Sequence, residues 1–336
     1  MKISHPSKKV MREAAALIKA GGIVAFPTET VYGLGASAFN PLAVARIFEA
    51  KERPLFDPLI VHISDLYQMS LLASHIDKRA GRLAGRFWPG PLTLILPKHD
   101  SVPDIVTAGL DTVAIRMPDH LIALDLITRS GSPIAAPSAN RFGYLSPTRA
   151  AHVLEQLGDR VDMIIDGGDC AVGIESTIIS LVGDKNIVLR PGGVPAEDIE
   201  ALIGPVETRA ETAKNPEAPG QLPHHYSPSV PVELADDIRQ IDFTRPDAGF
   251  LLFQDPGFSV PDARTEILSK NGDLKEASAN LFSALHRLDG MNIQVIIAES
   301  VPETSLGVAI MDRLRKAARK NAGIAAPPEG VKRKPV

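Results

Sequence analysis

The chain has 336 residues, 44% of them hydrophobic and 23% charged, with a formal net charge of −4. These are globular proportions, and the length favours two domains over a single core. The slight negative charge excludes a general polyanion binder, so a nucleotide or nucleic-acid site must come from a local concentration of Lys and Arg. Cys170 is the only cysteine, which excludes an intrachain disulfide framework and a cysteine-based metal site. The sequence has no apolar run near the length of a membrane span, and its first residues carry no apolar core or small-residue cleavage site of a signal peptide. A cytoplasmic location with no membrane partner is therefore expected.

In chain order, Val10, Ala14, Leu17 and Ile18 recur at helical spacing, with Gly21-Gly22 as the stop. Strands are predicted at Ile23–Phe26 and around Val31–Leu34, on either side of Thr28-Glu29-Thr30. Asn40-Pro41 reads as the cap and first turn of a helix ending near Lys51. Leu59–Ile63 is a strand carrying His62, and two helices are predicted between Asp65 and Phe87. Strands follow at Leu92–Leu96 and Val113–Met117, the second containing Arg116. A helix from Asp119 to about Arg129 leads to a strand at Ile134–Pro137 and the polar loop Ser138-Ala139-Asn140. Ser146-Pro147-Thr148 reads as a well-capped helix start. Further strands are Met163–Ile165, Thr177–Leu181 and Ile187–Leu189, and a short helix reaches about Ile203.

Several strands follow one another without an intervening helix, which predicts an α/β fold with a mixed sheet rather than a regular alternating wind. The expected organisation is a catalytic unit over 1–204, a linker over 205–231, a smaller α/β unit over 232–322 and a basic tail over 323–336. The linker is rich in Pro, Glu, Ala and Gly and contains His224, His225 and Tyr226. Arg313 to Val336 holds eight Lys/Arg and one Glu, and such a charge-rich end is ordinarily solvated.

Phosphate-binding and dinucleotide-binding glycine loops, zinc-protease helices and nucleophile elbows are absent. Four local groups remain. Lys51 and Arg53, at a helix exit, either bracket a polyphosphate or form a solvated helix end. Ser138 and Asn140 suit a phosphate, ribose or base edge, and suit an ordinary turn equally. Arg116, flanked by apolar strand residues, is a carboxylate clamp or an edge-strand ion pair. Glu175-Ser176-Thr177 with Arg190 either orients a small polar ligand or reflects strand propensity and a surface charge. His62, alone on an apolar strand, is by itself more simply a core histidine.

In combination these groups are more specific. FPTETVYGLG, AKERPLFDPLIVHI, WPGPLTLIL, VAIRMP, APSAN, ESTIISL and VLRPG occur in that order over roughly residues 5 to 205. Together they resemble the YrdC-like threonylcarbamoyl-AMP synthase family. APGQLPHHYSP followed by a small α/β unit is similar to its longer branch. The resemblance implies a twisted, open mixed sheet with a large concave surface, plus a smaller Rossmann-like C-terminal domain. It implies condensation of L-threonine, bicarbonate and ATP, with Mg²⁺ accompanying ATP, to threonylcarbamoyl-AMP and pyrophosphate. The product passes to a separate tRNA-modifying complex.

Carried over by motif, Lys51 and Arg53 are the catalytic cations. Thr28, His62, Arg116, Ala136 and Ser176 are implied on the threonine side. Lys51, Arg53, Leu55, Thr112, Ser138, Asn140, Ser146, Arg190 and Tyr226 are implied on the ATP side, and no metal ligand is assigned to a protein side chain. The sequence departs from the family at Asp57, where Asn is usual, and at Leu222-Pro223-His224, where a basic residue commonly precedes the His-Tyr pair. An RNA-binding module, or carbamoyl transfer to another acceptor, is the alternative. The low aromatic content, one Trp and four Tyr, counts against the RNA module.

Overall fold

The computed structural model of the protein describes residues 3–209, 216–222 and 226–319. Pro223, His224, His225 and the basic tail over 323–336 lie outside them.

Among the described residues, eleven strands form the first sheet: β1 (Ile3–Ser4), β2 (Val24–Phe26), β3 (Gly33–Ser37), β4 (Ile60–His62), β5 (Leu92–Pro97), β6 (Thr112–Arg116), β7 (Ile134–Ala135), β8 (Met163–Ile165), β9 (Thr177–Ser180), β10 (Ile187–Arg190) and β11 (Glu207–Thr208). Their spatial order is β1-β8-β2-β3-β7-β4-β6-β5-β9-β10-β11. The sheet is mixed, as the strand spacing predicts: β4 and β6 run parallel, while β2–β3, β3–β7 and β5–β6 are antiparallel. The register places His62 beside Arg116 at the ends of two neighbouring parallel strands. Two distant polar residues thus come together, in the way strand ends in α/β folds commonly do.

The helices form for local reasons. Ser7 caps Lys8–Lys19 by accepting from the Val10 amide, and that helix buries Met11, Ala14, Ala15 and Ile18. Asn40 caps Pro41–Lys51 through the Leu42 and Ala43 amides, and Glu52 ends it in a left-handed conformation. Some boundaries differ from expectation. The second strand starts at Gly33 because the Thr28 hydroxyl, donating to the Val31 carbonyl at 2.6 Å, closes a turn over 28–31. The helix expected from Asp119 begins at Leu121, capped by the His120 ring. The predicted helix start at Ser146 is incorrect. The helix is Ala150–Leu157, its cap residue Arg149 makes no side-chain capping bond, and the Ser146 hydroxyl donates instead to Glu175.

The C-terminal unit is a four-stranded parallel sheet of β12 (Val232–Ala235), β13 (Ala248–Leu252), β14 (Thr265–Ile267) and β15 (Val295–Glu299), in the order β12-β15-β13-β14. Helices Leu274–Asp289 and Leu306–Arg319 pack with it and with each other. One apolar cluster joins Val31, Leu145 and Ile174 of the first unit to Phe282, Leu285 and Met311 of the second. The contact between the units is tight. Gly173 has φ +74°, and a Cβ there would collide with the backbone oxygens of Ser278 and Ala279. Nearby, the rings of His152 and His286 stack with centroids 3.8 Å apart. The Thr148 amide donates to His152 Nδ1, and His286 Nε2 donates to the Ser146 carbonyl at 3.1 Å. Among the described residues no helix is long and apolar enough to cross a membrane.

Candidate active site

The strand ends and the loops beyond them surround a cavity lined by Arg53, His62, Arg116, Ser138, Ser176 and Arg190, with Glu175, Gly220 and Tyr226 completing part of the wall. Among the described residues, three guanidinium groups therefore face one space, against a single lining carboxylate.

Each guanidinium is fixed by what surrounds it. Arg116 Nε donates to the Gly90 carbonyl at 3.2 Å and Nη1 to Thr30 Oγ1 at 2.9 Å, while Nη2 lies 2.7 Å from Glu29. Arg53 Nη2 lies 2.9 Å from Asp57 Oδ2 and also donates to the Pro58 carbonyl at 2.9 Å. Arg190 donates twice to the Ser176 carbonyl, at 3.1 and 2.9 Å, once to the Ser176 hydroxyl and once to the Pro219 carbonyl. All three are buried. Charged groups this buried are expensive unless paired or hydrogen-bonded, and each of these is.

Lys51 and Arg53 are not a solvated helix end, since both are buried. The Lys51 ammonium donates to the backbone carbonyls of Ser138 and Asn140. Burial lowers its pKa well below the usual lysine value, and the positive charge of Arg53 adds to this. Asp57 is the ion-pair partner of Arg53, four residues earlier in the chain. Burial raises its pKa, with Arg53, Lys51 and Arg190 acting in the opposite direction. Arg116 does not lie on an edge strand, because β6 is flanked by β4 and β5. His62 is driven down to about 3 by burial and then by the charge of Arg116, so the ring is neutral. Its Nδ1 is buried with no hydrogen-bond partner among the described residues.

Of the residues named from sequence, Arg53, His62, Arg116, Ala136, Ser138, Ser176, Arg190 and Tyr226 line the cavity. Thr28, Lys51, Leu55, Thr112, Asn140 and Ser146 are outside that lining. Thr28 braces the turn carrying Thr30, whose hydroxyl it contacts at 2.9 Å. Asn140 ties down the 140–144 loop through the carbonyls of Arg141 and Tyr144. Leu55 is 64% exposed, and Thr112 stands at the opposite end of β6 from Arg116. The sequence reading includes Glu175 in a candidate group with Ser176 and Arg190 but gives it no role, and it assigns none to Thr30 or Glu29, although both stand inside the FPTETVYGLG motif. It also missed two buried cations of the last helix, Arg313 and Lys316. The sequence places them at the start of a charge-rich, solvated end, yet they are 0% and 1% exposed.

A mixed α/β sheet whose strand ends converge on a cation-lined cavity defines a class of enzyme that handles anionic substrates by placing fixed charges around them. The comparisons narrow the class. A family model described as Telomere recombination (Sua5, yciO and yrdC) matches residues 16–192, and one described as the C-terminal domain of threonylcarbamoyl-AMP synthase matches residues 194–319. The chain is 47% identical over 321 residues to a threonylcarbamoyl-AMP synthase of Pyrococcus abyssi, covering 91% of this chain and 93% of that one. It is 45% identical over 318 residues to the Bacillus subtilis protein of the same name, covering 91% and 92%. A crystal structure of P. abyssi Sua5 complexed with L-threonine superposes with a TM-score of 0.88 at 44% identity, covering 95% of this chain and 98% of that one. The chain belongs to the YrdC-like threonylcarbamoyl-AMP synthase family, in its two-domain form. It is accordingly an ATP-dependent enzyme, a nucleotidyltransferase of tRNA processing.

Proposed function

We propose that the cavity condenses L-threonine, bicarbonate and ATP to threonylcarbamoyl-AMP, releasing pyrophosphate and water. The observation that carries the reading is the set of three buried guanidinium groups, Arg53, Arg116 and Arg190, held by carbonyls and carboxylates around one cavity. An amino-acid carboxylate and a polyphosphate are the two anions the reaction brings together.

In this reading Arg116 receives the threonine carboxylate. Its Nε and Nη1 are held by Gly90 and Thr30 and its Nη2 lies against Glu29, so the orientation of the guanidinium is set before the carboxylate arrives. His62, kept neutral, offers an unprotonated ring nitrogen beside it. The threonine amine must lose a proton before it attacks bicarbonate carbon, and an imidazolium there would oppose the neighbouring cation. As the N–C bond forms, the bicarbonate C–OH bond breaks and water leaves; the carbamate oxygen then attacks the α-phosphorus in line, the bond to the bridging β-phosphate oxygen breaks, and pyrophosphate leaves. No covalent nucleophile of the protein is required. Arg53 and Arg190 stabilise the charge that develops on the phosphates, and Lys51 positions the Ser138–Asn140 loop through its two carbonyl contacts.

Mg²⁺ fits as a companion of the triphosphate, where it neutralises phosphate charge, rather than as a resident ion. Among the described residues the one lining carboxylate, Glu175, is already engaged by Arg313 and Ser146, and no group of His, Cys, Asp or Glu that could hold a metal occurs. Release of the product to a tRNA-modifying complex and a cytoplasmic location belong to the same proposal.

The test is pyrophosphate release with ATP and Mg²⁺, together with mass identification of the adenylate. Release that stops when either L-threonine or bicarbonate is omitted is the expected outcome. ATP turnover indifferent to threonine, or an adenylate formed equally with serine or from carbamoyl phosphate, overturns it.

A further inference from the structure

The helix Leu306–Arg319 belongs to the C-terminal unit, yet two of its cations end at the back of the cavity wall. Arg313 Nε donates to Glu175 Oε2 at 3.0 Å and its Nη1 to the Pro191 carbonyl at 2.6 Å. Its guanidinium also lies 5.1 Å above the ring of Tyr226. One turn along, Lys316 Nζ donates to the Gly220 carbonyl at 2.7 Å. Asp312 sits between the two cations, 3.0 Å from Arg313 Nη1 and 2.8 Å from Lys316 Nζ.

These contacts fall on both sides of Arg190. Pro191 follows it in the chain, and Arg313 holds that carbonyl. Across from it, Arg190 Nη1 donates to the Pro219 carbonyl at 3.2 Å, and Lys316 holds the next carbonyl, Gly220. Gly220 has φ +83°, and a Cβ there would strike the Tyr226 hydroxyl and Arg190 Cδ, so the turn, the tyrosine and the arginine are packed without spare room. Glu175, Arg190, Gly220 and Tyr226 all line the cavity, whereas Arg313 and Lys316 do not.

Ordinary adhesion between the two units does not need this arrangement, because the shared apolar cluster already supplies it. Burying an arginine and a lysine carries a large desolvation cost, and an apolar contact of similar volume is often at least as stabilising. What the two cations add is direction. Each fixes one backbone carbonyl on one side of the same guanidinium.

We propose that Arg313 and Lys316 are positioning residues for the nucleotide side of the site, clamping the Pro191 and Gly220 carbonyls so that Arg190 is held toward the cavity. The substrate assigned to that side rests on the synthase reading above; the clamp itself does not. Through it the C-terminal domain takes part in ATP use without touching ATP.

The experiment uses the full chain with Lys316→Met, Arg313→Met and Arg313→Lys. Removing one charge-assisted hydrogen bond from the clamp raises KM for ATP by about tenfold. KM for threonine, governed at Arg116, changes less than about twofold. Arg313→Lys recovers part of the loss seen in Arg313→Met, because it keeps the charge but not the planar fork. Without substrate, amide exchange over residues 216–222 accelerates in Lys316→Met, a readout that does not depend on activity. If that exchange and KM for ATP both stay at wild-type values while only thermal stability falls, the two cations are adhesion alone and the proposal is overturned. Should Arg313→Met fail to fold, Lys316→Met decides the matter by itself. Should the wild type release no threonine-dependent pyrophosphate, the synthase reading fails, and faster exchange in Lys316→Met still supports the clamp.

Discussion

Arg53 and Arg116 are both buried, both paired with a carboxylate and both on the same cavity, but they are built differently. The partner of Arg53 is local: Asp57 is four residues away, and the carbonyls that help it, Asp57 and Pro58, belong to the same loop. Arg116 is held from two places distant from it in the chain, Gly90 after a helix and the turn that carries Glu29 and Thr30. A locally held cation can shift with its loop when a ligand arrives. One tied across the sheet is set by the fold before any ligand binds, which suits recognition of the smaller and invariant substrate.

The largest expected effects test that division. Arg53→Ala removes a fixed charge from the phosphate side, so kcat/KM for ATP should fall by about 10²–10³. Arg116→Ala should instead raise KM for threonine by about tenfold or more, and leave KM for ATP nearly unchanged. Steady-state kinetics varying each substrate in turn separates the two, and equal losses on both substrates in both variants would erase the division. A smaller effect is expected from Asp57→Asn. The shape and the Arg53 contacts to backbone carbonyls are kept while one negative charge is lost beside the guanidinium. KM for ATP should fall by about twofold to fivefold, as electrostatic opposition to the phosphates is relieved. An increase would show that the carboxylate is needed to aim Arg53.

The smallest effect concerns pH. Burial, reinforced by the neighbouring His286 ring, takes the His152 pKa to about 3 in the folded chain, and His62 is lowered to about 3 by burial and Arg116. Both values lie below the ordinary histidine value near 6.5. Below about pH 6.5 the unfolded chain therefore binds protons that the folded chain refuses. Their contribution is fully present above that pH and is lost as pH falls toward 3, by at most about 1.4 kcal/mol per pH unit for each ring. Urea unfolding at pH 7.5 and pH 5.0 should show wild type losing more stability than His152→Asn. Matching losses would remove the stacked pair as an acid-sensitive contact.

Much of this arrangement is legible in the sequence. Asn40-Pro41 announces its helix through side-chain capping, and the apolar strands bring His62, Arg116, Ser176 and Arg190 to their ends. Burial is less legible. Lys51 and Arg53 look like a solvated helix end because their acceptors, the Ser138 and Asn140 carbonyls and Asp57, are visible only once the loops are folded. The basic end misleads for the same reason: Arg313 finds Glu175 at a separation of 138 residues, and no local pattern encodes that contact. Ser146 has the composition of a helix cap, but the buried Glu175 competes for its hydroxyl and wins.

The close approach at Gly173 has a mechanical consequence. Its backbone rests directly on that of Ser278 and Ala279, with no side chain between them to tilt or yield. Interiors packed this closely feel the addition of a single carbon. The seam between the two units at this point therefore has no room for even one added methyl group. Any residue larger than glycine there would have to push back the Ser278 and Ala279 backbone, besides bearing the strain of a positive φ.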